Sequence, residues 1–455
     1  MAAKSNYVTE LITAGGHRNS KALVTALTGM IKREELPTGA RLPTVRALAQ
    51  AMDISPSTVA DAWAMLRKDG LIETRRRGGT VVKASQQWVG EGRGADQAMW
   101  PAIDLAQNMA DPRLLPPLDK ALLEGLQNRA LHLPDREHIT SRLRDAVAPS
   151  WPFAPQAWST GAGGAEAAYL AFEAAAARGS KVAVEEPTAP RILDAMADLG
   201  FIPLAVACDA DGPRPDRLAE AIDKGAKAFI YQPRAQLPLG HSVTAQRVRE
   251  LAEVIRASGK PVNVVEDDNT GPLALQVARS IGLHLPHQII HVRAYCKAYG
   301  TDLKTAVIGG ASDLVLRTRE LRSGGRAVSS RILQDALAYL VNDARSERRI
   351  ATARERYAQR QVRMIEALNE RGADLVASDG PVLWLPVANE NAAMVRLAAS
   401  GITVGAGSRC YVMPVQGLNR IRVATSRLPD DLGQISRLAD AIIGATTLGN
   451  SKEYF

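Results

Sequence analysis

Four groups of residues in the C-terminal three quarters of the sequence could support cofactor chemistry. Lys297 follows the apolar run 289–295, and its amine is a nucleophile that can form an imine with an aldehyde. Asp267 lies at the end of PVNVVEDD, where a carboxylate could keep a ring nitrogen protonated. The glycine-rich run 160–164 opens a predicted helix whose amides could hold a phosphate. Arg422, in the strand-like NRIRVAT, could bind a carboxylate in bidentate fashion.

Together these groups are what a pyridoxal phosphate (PLP) site requires. Each has a plainer explanation when it is taken alone. A lysine after a strand is usually only exposed, and an aspartate at a strand end is usually a cap. Their order and spacing along the chain are what favour a common site.

A second set of residues, near the N-terminus, is typical of DNA recognition. A recognition helix presents its first side chains to base edges. Arg46, early in the preceding helix, could contact a phosphate or a guanine. Three short hydroxyl residues precede and open the predicted third helix: Ser55, Ser57 and Thr58. A basic, flexible tip that suits the minor groove or its phosphates follows: Arg75, Arg76, Arg77, Gly78 and Gly79.

The distribution of charge agrees with this division. The chain of 455 residues carries a net charge of +8, and residues 1–85 alone hold 13 Lys and Arg against 7 Asp and Glu. A basic small domain on a nearly neutral large one indicates a polyanionic partner for the small domain. A solvated basic face is the commoner outcome of such a charge run, so charge alone does not decide the matter.

The periodicity of residues 1–85 predicts a winged helix-turn-helix. Apolar residues recur at helical spacing, with Thr44 placed to cap the second helix and Trp63 on the apolar face of the third. The predicted helices span 20–36, 45–52 and 57–69, and the predicted strands span 71–74 and 80–83. Residues 86–100 lack periodicity and are predicted to be a linker.

From residue 101 onward the pattern changes to strands that alternate with helices. Such alternation predicts a mostly parallel α/β sheet that is covered on both faces. The predicted strands span 182–184, 204–207, 228–231, 262–265, 289–295 and 306–309, and helices are predicted at 165–177, 191–199 and 243–257. A long helical stretch then runs from 329 to 371 and is followed by a mixed α/β tail. We therefore expect one domain over 101–455, with a large part at about 101–320 and a small α+β subdomain at about 321–455.

The N-terminal segment resembles the GntR family of bacterial regulators. The resemblance covers about 65 positions, and LPTVRALA, S-x-STV and DGLIE followed by the wing and GGT occur in the family's order. By this resemblance Arg46, Ser57, Thr58 and Gly79 would contact DNA. Pro56 and Ala60 stand where the family often has arginine, which implies a different reading of the operator.

The remainder resembles the fold-type I aminotransferases, and its fusion behind a GntR-like segment looks like the MocR subfamily of regulators. The resembling segments include STGAGGAEAA, VAVEEPTAP, VVEDDNTGP and RAYCKAYGTDLKTAVIGG. The resemblance makes Arg422 the carboxylate clamp and implies a homodimer, because such domains build their sites at a dimer interface. It also implies these cofactor-binding residues: Lys297 as the imine-forming lysine, Asp267 as the pyridine partner, Gly161, Ala162, Gly163, Asn269 and Lys304.

Several residues depart from the family pattern around the cofactor. Ala189 replaces an aromatic ring that covers the pyridine, and Leu237 and Asn269 stand where the family often has hydrogen-bonding groups. Lys304 replaces a phosphate-binding arginine, and Cys296 replaces the serine before the lysine. The segment LHLPDREHI has no tyrosine with which to reach a partner's phosphate. A lost ring stack or hydrogen bond costs roughly 1–3 kcal/mol, or about ten- to hundredfold in affinity.

Three functions are therefore expected, in descending order. The first is a DNA-binding transcriptional regulator that senses PLP or an amino compound as its small-molecule effector. The second is a regulator whose domain no longer uses PLP, and the third is an active aminotransferase. The three cysteines lack metal spacing, and the N-terminus lacks the apolar core of a signal peptide, so we expect a cytoplasmic protein without a metal site.

Overall fold

Capped helices and a two-stranded wing form the first part of the chain. The computed structural model describes residues 20–32, 36, 40–68, 71–75, 79–82, 103–133, 137–323, 329–413, 415 and 417–447. The chain divides into two units, Met1–Asp96 and Gln97–Phe455. The elements of the first unit are α1 (Ser20–Lys32), α2 (Val45–Met52), α3 (Pro56–Lys68), β1 (Ile72–Arg75) and β2 (Gly79–Val82).

The helices of this unit form where the sequence predicts them. The Thr44 hydroxyl accepts a hydrogen bond from the Ala47 amide at 3.2 Å and caps α2, whose predicted span is the observed one. Trp63 is 2% exposed and packs in the core with Val59 and Leu66, as its position on the apolar face indicates. This packing fixes α3, the predicted recognition helix, against its neighbours.

The wing is an antiparallel hairpin in which Ile72 lies opposite Val82. Residues before α2 pair with it at a single antiparallel bridge, Arg41 with Val81, where the Leu42 amide donates to the Thr80 carbonyl and the Val82 amide to that of Ala40, both at 2.9 Å. Three helices followed by this hairpin confirm the predicted winged helix. Three residues of the predicted tip, Arg76, Arg77 and Gly78, lie outside the described residues.

The second unit is built on a mostly parallel sheet, as predicted. The first strand of the unit, β3 (Ile103–Asp104), lies outside this sheet. The strands of the sheet are β4 (Ala157–Gly161), β5 (Lys181–Glu186), β6 (Ile202–Asp209), β7 (Gly212–Pro213), β8 (Ala228–Tyr231), β9 (Asn263–Asp268), β10 (Ile289–Ala294) and β11 (Ala306–Gly310). Among the described residues the central sheet has eight strands in the order β4-β11-β10-β9-β8-β5-β6-β7. Strands β5, β6, β8, β9 and β10 are parallel, whereas β4, β7 and β11 pair antiparallel at its two edges.

Helices cover both faces of this sheet and create two apolar cores. Phe229 and Val264 pack on one face, and the next residue of each strand, Ile230 and Val265, packs on the other. The helices of this part are α4 (Asp119–Gly125), α5 (Ser141–Val147), α6 (Gly164–Ala175), α7 (Pro190–Asp198), α8 (Pro215–Asp223), α9 (Ala245–Ala257), α10 (Cys296–Tyr299) and α11 (Ser312–Ser323).

A smaller α+β subdomain completes the unit. It contains α12 (Arg331–Asn342), α13 (Ala344–Asn369), β12 (Val382–Pro386), α14 (Glu390–Ala399), β13 (Ile402–Thr403), β14 (Gly405–Ala406), β15 (Arg420–Ala424) and α15 (Leu432–Thr447). Strand β3 pairs with β13, so the beginning of the unit joins this subdomain. No helix among the described residues combines the length and the apolar character that a bilayer span needs.

One predicted element is wrong in detail. The helical stretch from 329 to 371 is two helices, because Asp343 leaves the helical conformation and its carboxylate caps α13 by accepting from the Ser346 amide at 2.8 Å. The helix predicted at 165–177 is observed as α6, and the first two residues of the glycine-rich run, 160 and 161, end the edge strand β4 before it.

Candidate effector and DNA-binding sites

The predicted lysine and aspartate lie at the same edge of the central sheet. Strands β9 and β10 are parallel, and Asp267 lies opposite Val292 in their register. Lys297 follows in the short helix α10, three residues after β10 ends. Ligands of open α/β sheets bind at this carboxyl edge. The structure thus places Asp267 and Lys297 at the same carboxyl edge of the sheet.

The surroundings of Lys297 favour the neutral form of its amine. Burial, together with the positive charge of Arg191, lowers the pKa of its ammonium group to about 8. Asp267 and Asp268 oppose this shift. A substantial fraction of the amine is therefore neutral near pH 8, as imine formation requires.

The glycine-rich turn comes close to the strand that leads to Lys297. Gly163 has φ +94° and is the N-cap of α6, and a Cβ on Gly164 would lie 2.7 Å from the Cβ of Ala294. The same Cβ would be 3.6 Å from the Asn269 side-chain oxygen. Only a glycine permits this approach, which brings the amides of the turn, Asn269 and the end of β10 together.

Arg191 and Glu166, which the sequence does not predict as site residues, bind the polar groups of this site. The Arg191 guanidinium, from the first turn of α7, forms an ion pair with the buried carboxylate of Asp267. The Glu166 carboxylate accepts a hydrogen bond from the Ala162 amide and lies 3.4 Å from a terminal nitrogen of Arg322. Arg322 is itself buried and donates to the Thr160 carbonyl at 2.7 Å.

These contacts allow a test of whether the residues fit PLP. The groups now bound at the two ends of the site carry the same charges as the two ends of PLP. The Arg191 cation lies at Asp267, where the protonated ring nitrogen would be, and the Glu166 anion lies on the amide of Ala162, where the phosphate would be. Lys297 lies at the same sheet edge. The donor set therefore fits PLP, provided that Arg191 and Glu166 move aside. PLP supplies an aldehyde that amines attack.

Lys304 and Arg422 are the other residues predicted to bind the cofactor or the carboxylate of its partner. Lys304 is exposed, at φ +44°, after the turn Thr301–Leu303. Arg422 lies in β15, where its Nε donates to the Ala406 carbonyl at 3.3 Å and its guanidinium packs on the backbone of Gly405. Among the described residues, the crevice at Lys297 is lined by other polar groups, namely those of Asn108, Thr270, Arg354, Tyr357, Gln361, Ser378, Asp379 and Ser426.

The predicted DNA-contact residues that are described lie at the start of two helices. Arg46 and Ser57 are exposed, at the beginnings of α2 and α3. The Ser55 hydroxyl accepts from the Thr58 amide at 3.1 Å and is also bonded to the hydroxyls of Ser57 and Thr58. Ser55 therefore caps α3, a role that the sequence analysis did not assign to it. Gly79 opens β2 at φ +75°, as a tight wing requires.

A winged helix joined to an aminotransferase-like domain defines the class of a transcriptional regulator. Residues 19–82 match the family of bacterial regulatory proteins called gntR, and residues 101–442 match aminotransferase class I and II. The chain is 30% identical, over 88% of its length and 91% of the other protein, to the vitamin B6 salvage pathway transcriptional repressor PtsJ of Salmonella typhimurium. It is 25% identical, over 76% of its length and 79% of the relative's, to the uncharacterised HTH-type transcriptional regulator YcxD of Bacillus subtilis.

Solved aminotransferases share the fold of the second unit. LysN, an α-aminoadipate aminotransferase from Thermus thermophilus, superposes with a TM-score of 0.67 at 19% identity, over 78% of this chain and 97% of its own. The multiple substrate aminotransferase of Thermococcus profundus gives 0.66 at 19% identity, over 76% and 92%. This chain belongs to the GntR-type regulators with an aminotransferase class I and II domain, the MocR group.

Proposed function

We propose that the aminotransferase-like domain of this regulator binds PLP as an effector and not as the cofactor of a turnover reaction. The observation that carries the proposal is Lys297, whose ammonium has a pKa of about 8 at the sheet edge shared with Asp267. The PtsJ repressor is named for vitamin B6 salvage, and PLP is a form of vitamin B6. A regulator of that kind needs to detect PLP and has no need to process it.

The surroundings of Lys297 favour binding over catalysis. Ala189 is buried at the position where a stacking ring would restrain the cofactor, and a methyl group supplies little of that contact. Arg191 competes for the carboxylate that would activate the ring. Catalysis demands closer positioning than binding does. We therefore expect transamination to be slow or absent, whether or not an amino compound enters the crevice beside Lys297.

The absorbance spectrum of the full-length protein tests this proposal. Added PLP should produce a near-visible band that Lys297→Ala abolishes, whereas Lys304→Ala, which changes an exposed lysine seven residues later, should keep a band. Absence of a PLP-dependent band in the wild-type protein would overturn the proposal. Efficient amino-group transfer from a panel of amino donors to α-keto acids would favour an aminotransferase instead.

A second candidate is a regulator whose domain takes a ligand other than PLP. The contacts of Arg191 with Asp267 and of Glu166 with Ala162 and Arg322 favour it, because they satisfy the groups that PLP would use. Such a protein would bind DNA normally, show no PLP band, and be insensitive to Lys297→Ala.

For the first unit we propose a DNA interface made by the start of α3, the start of α2 and the wing. Arg46, Ser57 and Thr58 are supported by their location near helix N-termini, and Arg75 and Gly79 by their place at the ends of the two wing strands. Arg46→Ala should weaken binding to the DNA upstream of the protein's own gene, measured at fixed salt. Arg348→Ala, which removes an exposed arginine of the second unit, is the control and should have no effect.

We also propose that the protein is a homodimer that reads two half-sites, direct or inverted. The support is the aminotransferase fold, whose sites lie between subunits, together with the paired operators that twofold proteins require. Sedimentation at micromolar concentration should show the dimer mass. A monomer at that concentration would contradict this part of the proposal.

A further inference from the structure

Three side chains with metal-binding chemistry meet away from Lys297. Glu185 is in β5, Cys208 is in the neighbouring strand β6, and His241 lies in the segment that leads to α9. One ligand atom from each lies within 4.8 Å of the other two. They are 23 and 33 residues apart in the sequence, so only the fold brings them together.

Some of the polar atoms of this cluster have no hydrogen-bond partner, whereas the Cys208 thiol donates to the Val206 carbonyl at 4.0 Å. One carboxylate oxygen of Glu185 accepts from the Gln232 backbone amide at 3.0 Å and from its side-chain amide at 2.7 Å. The second oxygen is buried without a hydrogen bond, although Glu185 is 0% exposed. Both ring nitrogens of His241 are also buried without a partner. Buried polar atoms are nearly always satisfied, so three such atoms in one place mark a position where a ligand would supply the missing partners.

The backbone around the cluster is fixed on every side. Strands β5 and β6 are parallel with Glu185 opposite Val206, which places Cys208 just beyond it, and Cys208 itself pairs with Pro213. The His241 carbonyl accepts from the Gln236 amide at 3.0 Å, and a Cβ on Gly212 would lie 3.7 Å from a nitrogen of the ring. The three donors are therefore held in place by the sheet and its loops.

We propose that Glu185, Cys208 and His241 bind a divalent transition metal ion, with Zn²⁺ as the best match. A thiolate, an imidazole and a carboxylate are ligands that Zn²⁺ accepts in four-coordinate sites, with water as the fourth ligand. Sulfur disfavours Mg²⁺ and Ca²⁺, which prefer oxygen ligands. Tetrahedral zinc bonds of about 2.0–2.3 Å hold their ligand atoms about 3.3–3.5 Å apart, so donors within 4.8 Å of one another need to approach by about 1.5 Å at most.

Burial favours the uncharged form of each of the three side chains when no cation is present. Burial raises the pKa of Glu185 to about 8 and raises that of the Cys208 thiol well above its usual value. Burial also lowers the pKa of His241 to about 4, which leaves the imidazole in the neutral form that binds metals. A divalent cation would take the place of the protons on Glu185 and Cys208, and their two negative charges would neutralise it.

The cluster contacts the loop that precedes α7, the helix that carries Arg191. The bonded oxygen of Glu185 also accepts from the Thr188 hydroxyl at 3.3 Å, and Thr188 is two residues before α7 begins. Arg191, in the first turn of α7, forms the ion pair with Asp267. A metal ion on Glu185 would thus bind next to the residues that lead into α7. This helix carries Arg191, which occupies the Asp267 carboxylate that the PLP ring nitrogen would use.

Cobalt titration of the full-length protein, first freed of metal with a chelator, tests the site. Co²⁺ bound by a thiolate gives an intense charge-transfer band, and all three cysteines of the chain are among the described residues. We expect saturation at one equivalent per chain, reversal on addition of Zn²⁺, and an at least tenfold loss of affinity in the double variant Cys208→Ser, His241→Ala. The matched control Cys410→Ser, His284→Ala should bind as the wild type does.

A variant that keeps the packing guards against misfolding. Glu185→Gln retains the side-chain volume and an oxygen for Gln232, so it should fold, yet it should bind Co²⁺ more weakly. Absence of a thiolate band in the wild-type protein would overturn the proposal. A band of equal strength in the Cys208, His241 variant, or its loss only in the control, would also overturn it because the metal would then lie elsewhere.

Discussion

Lys297 illustrates how a single residue is prepared by its surroundings. An exposed lysine is almost fully protonated at neutral pH, whereas burial and Arg191 lower the pKa of this one to about 8. We predict that the rate of PLP attachment rises with pH up to about 8 and then levels, because the neutral amine is the nucleophile. Stopped-flow absorbance from pH 6 to pH 10 measures this profile. A rate that climbs steadily through pH 10 would show an ordinary lysine.

Arg191 provides a sharper prediction at the same scale. Because its guanidinium must leave Asp267 when a ring nitrogen arrives, Arg191→Ala should bind PLP about tenfold more tightly, which corresponds to one hydrogen-bonded charge pair. Fluorescence titration gives the dissociation constants.

Arg409→Ala is the matched control for Arg191→Ala. Arg409 forms an exposed ion pair with Asp194 of α7, the helix that also carries Arg191. Surface ion pairs of this kind contribute little to the free energy of folding. Its loss should leave PLP affinity unchanged. Weaker binding by Arg191→Ala would mean that Arg191 contacts the ligand instead of competing with it.

The residues of the effector site differ in how far the sequence predicts them. The sequence places Lys297, Asp267 and the turn at 161–163 at or just beyond strand ends, where the structure also has them, and their role in binding a ligand stays a prediction. Arg191 and Glu166 were missed because their partners are distant in sequence or depend on how a helix begins. Glu166 gave one usable signal, an acidic residue in the first turn of a helix with a glycine N-cap. Nothing local connects Glu185, Cys208 and His241: the register of β5 and β6 brings the first two together, and the segment before α9 adds His241.

At the scale of elements, capping decides where helices begin and end. The span 45–52 was predicted without error because Thr44 is a good N-cap, and 228–231 because four apolar residues form a short buried strand. The break at Asp343 was missed because neither proline nor glycine marks it. Asp343 is itself a capping residue, because its carboxylate accepts from the Ser346 amide three residues later. In the folded chain this cap ends one helix and begins the next, although the helical periodicity continues on both sides.

The cap of the recognition helix can be tested in the same terms. Ser55→Ala removes the acceptor for the Thr58 amide, and loss of an N-cap costs about 1 kcal/mol. Amides in the first turn of α3 should then exchange with solvent about fivefold faster in hydrogen-exchange measurements, since local opening becomes easier by that amount.

Ser57→Ala is the control for this change. The Ser57 hydroxyl bonds only to that of Ser55 among the contacts of the described residues, so its loss should leave the exchange rates nearly unchanged. If the two variants exchanged at the same rate, Ser55 would not be the cap. DNA affinity can fall in both, because both hydroxyls lie at the proposed interface.

At the scale of the whole molecule, the chain joins a DNA-binding unit to a domain that retains an aminotransferase scaffold. The charge of the sequence, concentrated in residues 1–85, already indicated which part binds a polyanion. The scaffold retains the lysine and the carboxylate, but Ala189 and Arg191 change their surroundings from those expected of a working enzyme. A sensor of PLP accounts for both the retained and the altered residues.

The most direct test of this account is the affinity of the full-length protein for the DNA upstream of its own gene, measured with and without PLP. Coupling between a ligand site and a DNA site is typically about 5- to 150-fold in affinity. We predict a change in that range for the wild-type protein, in either direction, and no change for Lys297→Ala, which should still bind DNA. Equal wild-type affinity with and without PLP, under conditions where the PLP band is saturated, would contradict the account.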